Sequence, residues 1–112
     1  RVNGTFSDIY FDSSDRLTSN AFIMLDQITR LMNTYPLLRL EVSVHTDNQA
    51  SAESNLALSQ KRSQLLVDYL INRGVKAKRL VAKGYGASKP IASNLVEKGR
   101  KLNRRIDFTV ID

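Results

Sequence analysis

Residues 38–74 read LRLEVSVHTDNQASAESNLALSQKRSQLLVDYLINRG, and this stretch decides the architecture. Leu38, Leu40, Val42 and Val44 alternate with Arg39, Glu41, Ser43 and His45. Successive side chains of a strand point to opposite faces, so this pattern predicts a strand with one apolar face and one polar face. Thr46 to Ser51 is polar and turn-forming, and it leads into a long segment of helical period. At ~100° per residue, Leu58, Leu65, Leu66 and Tyr69 fall on one arc of a helix running from about Ala52 to Arg73. Gly74 then supplies a residue suited to ending it. Arg62 lies inside that arc, and Asn55 lies close to the same line. A guanidinium does not lose its proton and is costly to bury unpaired, so Arg62 either snorkels or faces an anion.

Working outward, Val2–Phe11 reads as a first strand with Ile9 and Phe11 on one face, followed by turn chemistry at Asp12-Ser13-Ser14-Asp15. Thr18 or Ser19 can cap a helix carrying Phe22, Leu25, Ile28, Leu31, Met32 and Tyr35 at spacings of three and four, which Pro36 stops. Downstream, Arg79–Tyr85 is a third strand, Gly86 to Asn94 a loop, Leu95 to Lys101 a short helix and Arg104–Ile111 a last strand. Ile106, Phe108 and Val110 share one face of that last strand. The order β-α-β-α-β-(α)-β predicts an α+β sandwich, with helices packed on one face of a four-stranded mixed sheet.

The 112 residues suffice for one domain with one core and are too few for two. The chain starts at Arg1 rather than Met, so it is read as a fragment of something longer. With no cysteine and one histidine, disulfides and thiolate metal sites are excluded, and neither a metal nor a cofactor is expected. No apolar run reaches the ~20 residues of a membrane-spanning helix, so membrane attachment is expected only through other parts of the parent protein. Charge is uneven: residues 1–56 carry a net −3 and residues 57–112 a net +9. One side of the fold is therefore expected to be basic, either as a solvated face or as an attraction for a polyanion.

Few residue sets carry chemistry. Ser43 and His45 share a strand face, but a lone Ser/His pair at that spacing is common, and no third group completes a catalytic set. Asp12 and Asp15 read most simply as turn formers, and Gly84-Tyr85-Gly86 is too short for a phosphate cradle. Lys98, Arg100, Lys101, Arg104 and Arg105 cluster without interleaved aromatics, so nucleic acid is not the expected partner. Asp47 and Arg62 remain. A carboxylate holds an ammonium and a guanidinium fork holds a carboxylate, so the two set a few ångströms apart would recognise a zwitterionic amino-acid head group. The alternative is that they pair with each other.

Read in order, the chain contains His45-Thr46-Asp47, then Asn55 through Leu58 and Ser59 to Arg62, then Tyr69-Leu70, Gly74-Val75 and Arg79. Gly84-Tyr85-Gly86, Pro90, Asn94, Gly99-Arg100 and Asn103-Arg104-Arg105-Ile106 follow. This series resembles the OmpA-like peptidoglycan-binding domain (the OmpA/Pal/MotB family) over about Ile9 to Val110. The resemblance implies the same element order and a ligand, the meso-diaminopimelate of the peptidoglycan stem peptide. It places the family's binding aspartate on Asp47 and its binding arginine on Arg62, which together would clamp the ligand's amino and carboxylate groups. It also implies that Asn55 ties the loop and lines the cleft, that Leu58 makes an apolar contact, that Phe11-Asp12 ends the first strand with the backbone after it bordering the pocket, and that Arg104 lies near the same cleft. Val44 and Ala50 stand where the family usually has glycine.

The expectation is a non-enzymatic module that anchors a larger envelope protein to the cell wall in the periplasm of a Gram-negative bacterium. Its partners would be the peptidoglycan stem peptide and other envelope proteins. The alternative, favoured by Val44 and Ala50, is a scaffold or interaction domain that keeps the fold without binding the wall.

Overall fold

A computed structural model of the chain describes residues 9–111 and the backbone of Val2–Thr5. The elements follow as β1 (Val2–Thr5), α1 (Ser19–Thr34), β2 (Arg39–His45), α2 (Ala52–Asn72), β3 (Leu80–Gly86), α3 (Glu97–Asn103) and β4 (Arg105–Ile111). A 3-10 turn at Ala77–Arg79 precedes β3. The sheet order is β1-β4-β2-β3, with β2 parallel to β3 and β4 antiparallel to both β2 and β1. The result is an α+β fold built on a mixed sheet. No helix among the described residues is long and apolar enough to cross a membrane.

The alternation in β2 works as anticipated on its apolar side. Leu40, Val42 and Val44 are buried with Ile106 and Phe108 of β4. α1 closes over them with Leu25, Ile28 and Met32, and α2 does so with Leu66, Val67 and Leu70. Thr18 caps α1, its hydroxyl accepting the Ala21 N–H. Ser51 caps α2 by accepting the Ser54 N–H. Gly74 follows α2 at φ +102°, a left-handed conformation that glycine adopts without steric cost.

Two readings need correction. The first strand does not extend to Phe11: β1 ends at Thr5, residues 6–8 lie outside the described region, and Phe11 pairs only through an isolated bridge with Leu17. Ile9 is exposed and Phe11 is buried, so they do not share a strand face.

The second correction concerns α2. Its buried stripe is Asn55, Ser59, Ser63, Leu66, Val67 and Leu70. Relative to the leucine arc, the helix is turned by roughly a quarter of a revolution. The cause is a close, hydrogen-bonded approach to β3. The Ser63 hydroxyl donates to the Val42 carbonyl and accepts the Lys83 N–H. Ser59 accepts the Gly86 N–H and Gln60 accepts the Gly84 N–H. Gly84 is required by the same approach, since a Cβ there would stand 2.2 Å from the Gln60 nitrogen.

The helix-free face of the sheet is also not the solvated face that its polar residues suggest. Ser43, His45, Arg105 and Asp107 are all buried there. His45 stacks on Tyr85 with ring centroids 5.1 Å apart, and its Nε2 lies 3.5 Å from Asp107. Arg105 Nε lies 3.2 Å from the same carboxylate oxygen and Arg105 Nη2 donates to the Lys89 carbonyl. The Ser43 hydroxyl donates to the Asp107 carbonyl rather than to His45, an arrangement that orders the sheet and does not activate a nucleophile.

Candidate functional site

Asp47 sits where β2 has ended and α2 has not begun. Its Oδ1 accepts the Gln49 N–H, a side-chain turn that fixes the loop, and the Thr46 hydroxyl donates to the Asp47 carbonyl. Asn55 is buried in the first turns of α2 and donates from Nδ2 to the Ala50 carbonyl, which ties the loop to the helix. Among the described residues, Asp15 alone of the non-glycine residues has positive φ. Ala50 therefore occupies backbone space open to any residue. Val44 is fully buried on the helix side of the sheet, where its side chain adds to the core.

Arg104, at the end of α3, reaches this loop. Its Nη1 lies 2.6 Å from Asp47 Oδ2, and its Nη2 lies 2.7 Å from Glu97 Oε2. Glu97 is mostly exposed, and the hydrogen bond from Arg104 holds its carboxyl below the ordinary value, with Arg100 adding to the effect. One guanidinium thus bridges two acids from different elements. Asn103 braces α3 from below: its Oδ1 accepts the Ile91 and Ala92 N–H groups, and its Nδ2 donates to the Ala92 carbonyl and to Asn94.

Arg62 lies seven residues beyond Asn55, roughly 10 Å along the helix axis. It flanks the buried stripe instead of sitting within it, which explains how a charged group fits so near the core. Its guanidinium stacks over the Phe11 ring at 4.7 Å. Its Nε and Nη2 both donate to Asp15 Oδ1, at 3.2 and 2.6 Å. Leu58, half-buried, stands one turn before Arg62 on the same side of the helix.

The sequence-derived set is therefore partly rearranged. Asp47 and Arg62 do not pair with each other; each is held by a different partner, Arg104 and Asp15 respectively. Phe11 lies beneath Arg62, whereas Asp12 folds its own turn, with Oδ1 accepting the Ser14 and Arg16 N–H groups. Those two backbone bonds lower the Asp12 pKa from its ordinary value. Asp15 and Glu97 were not anticipated. Asp15 occupies the left-handed region at φ 59°, which aspartate tolerates, and that turn aims its carboxylate at α2. No group of three or more potential metal ligands occurs among the described residues.

The site thus consists of a loop carboxylate and a helix guanidinium on an α+β domain, each braced by a neighbouring side chain. Residues 10–104 match the OmpA family, and the chain belongs to it. The chain is 35% identical over 104 residues to outer membrane porin F of Pseudomonas fluorescens, a match covering 92% of this chain and 32% of that protein. It is 34% identical over 87 residues to the peptidoglycan-binding protein ArfA of Mycobacterium tuberculosis, covering 78% of this chain and 27% of that protein. Among solved structures, the peptidoglycan-associated lipoprotein of Burkholderia pseudomallei superimposes with a TM-score of 0.83 at 27% identity, over 99% of this chain and 91% of that one. The chain thus spans about a third of the length of porin F and less of ArfA.

Proposed function

We propose that this chain binds peptidoglycan non-covalently through the diaminopimelate of the stem peptide, and so anchors a larger envelope protein to the cell wall in the periplasm. Asp47 would take the ligand's ammonium and Arg62 its carboxylate, with Leu58 against its aliphatic chain and Asn55 and Arg104 holding the Asp47 loop.

The observation that carries this reading is spare capacity in groups already fixed in place. Arg62 commits only Nε and Nη2, both to one oxygen of Asp15, and its Nη1 makes no hydrogen bond among the described residues. An ionised carboxylate offers about four acceptor positions, so Asp47 can still receive an ammonium beside Arg104 and the Gln49 N–H. Both side chains are largely but not fully buried, at 14% exposure for Asp47 and 16% for Arg62. Charges held this way lose little freedom on binding. The names of the relatives, one a peptidoglycan-binding protein and one a peptidoglycan-associated lipoprotein, point the same way.

The test is calorimetric titration with a diaminopimelate-containing muropeptide and with its lysine-containing counterpart. Saturable binding of the first, with loss on removal of the extra carboxylate in the second, is the expected result. Equal binding of both would overturn the diaminopimelate assignment, and no binding of either would overturn wall recognition at this site.

A further inference from the structure

The pole opposite Asp47 carries a surface that wall binding does not use. β2 runs from Arg39 to His45, so Arg39 and Asp47 stand about 20 Å apart at the two ends of the sheet. α1 ends at the Arg39 pole with Tyr35, and α2 ends there with Gly74. Between these ends lies a concave surface of about 480 Å³ lined by Arg39, Lys76, Lys78 and Arg79 together with Pro36 and Leu37. No carboxylate lines it among the described residues.

The cations there are not all explained by the fold. Arg79 is: its Nε donates to the Leu38 carbonyl and its Nη2 to the carbonyls of Met32 and Tyr35, closing the C-terminal end of α1. Lys76 and Lys78 are exposed, and neither ammonium makes a hydrogen bond or ion pair among the described residues. Beside them Leu37 is 94% exposed and Tyr35 58% exposed, on a shallow apolar surface shared with Pro36 and Leu38. A leucine standing almost entirely in solvent gains nothing from the fold.

We infer that this pole docks on an anionic phospholipid bilayer, with Leu37 and Tyr35 entering the headgroup boundary and Lys76 and Lys78 meeting the phosphates. The exposure of Leu37 beside the exposed Lys76 and Lys78 favours a membrane over a protein partner. A protein interface of ordinary stability needs a broad complementary area, whereas interfacial binding needs a protruding apolar side chain with a cationic collar. The charge balance of the lining residues fits a uniformly anionic surface. With wall recognition assigned to the other pole, the domain would stand between two layers and contact both. Each contact alone is weak, and attachment of the parent protein to either layer raises the effective concentration at the other.

The experiment is co-sedimentation of this 112-residue chain with vesicles of phosphatidylcholine alone and of phosphatidylcholine mixed with phosphatidylglycerol. The variants are the double substitution Lys76→Glu/Lys78→Glu and the single Leu37→Ser, all at exposed positions, with circular dichroism confirming the fold. The chain should bind the mixed vesicles, lose that binding in high salt, and bind at least about tenfold more weakly in the double variant. Leu37→Ser should weaken binding without changing its salt dependence. No vesicle binding, equal binding to both compositions, or equal binding by the variants would overturn the proposal. So would binding to polyglutamate with none to vesicles. Asp47→Ala should leave vesicle binding unchanged, which separates this outcome from failure of wall recognition.

Discussion

The Arg104 guanidinium lies 2.6 Å from the Asp47 carboxylate, and this contact links the loop after β2 to the end of α3, 57 residues away in the chain. It makes the position of the candidate ligand carboxylate depend on a residue that need not touch the ligand. Arg104→Ala should therefore leave the fold intact but release the Asp47 loop. A lost hydrogen bond to a charged group in a partly buried setting costs about 1.5–3 kcal/mol. Sedimentation with purified sacculi should show weakened binding in Arg104→Ala and none in Asp47→Ala. Identical retention of all three proteins would remove both residues from the site.

Asp15 holds Arg62 in the absence of ligand, and a ligand carboxylate would compete for the same guanidinium. Asp15→Asn removes the competing charge. Muropeptide affinity should then be unchanged or higher, at a stability cost of about 1 kcal/mol for the weakened pair. Arg62→Ala should instead abolish binding, and it strands a carboxylate in place of satisfying it. Calorimetry on the two variants distinguishes a competing partner from a supporting one, because a supporting Asp15 would lose affinity on the same change.

Glu97 supplies a pH dependence. Its carboxyl is held below the ordinary 4.5, first by the hydrogen bond from Arg104. A depressed folded-state value means that the contribution is complete above pH 4.5 and is lost as pH falls through the lower folded value. The thermal midpoint of the parent should exceed that of Glu97→Gln near neutral pH, by a small margin since the carboxylate is exposed. The gap should close on acidification. A gap that is constant with pH would mean that the ion pair is not its source.

Gly84→Ala probes the fold directly. The new Cβ would meet backbone of α2 at 2.2 Å, so the helix must move and the bonds that Ser59, Gln60 and Ser63 accept from β3 must lengthen. Overpacking of this kind costs about 3 kcal/mol. The urea midpoint should fall accordingly, with little change in the slope.

How much of this could be read from the letters follows from which residues carried a periodic signal. Leu40, Val42 and Val44 announce β2 because one face is wholly apolar. Thr18 and Gly74 announce helix ends because their chemistry suits those positions, whereas Ser51, the cap of α2, looked like part of a polar loop. The orientation of α2 was hidden because its contact residues Ser59 and Ser63 look like surface. Their role comes from smallness and from hydroxyls aimed at β3, and neither registers as hydrophobic period. His45, Arg105 and Asp107 were hidden for a related reason, since each is polar yet buried by mutual pairing. At the site, Asp47 and Arg62 were conspicuous as charges beside apolar patterns. Their partners Asp15 and Glu97 were not, because an acid in a turn and an acid opening a short helix have ordinary local explanations.

The same α2 hydroxyl and amide groups have an effect beyond packing. β3 is the outer strand on its side of the sheet, and the N–H groups of Lys83, Gly84 and Gly86 are already taken by Ser63, Gln60 and Ser59. A neighbouring chain finds no free donors at those positions from which to extend the ladder. Many copies can therefore crowd together without zipping at this border.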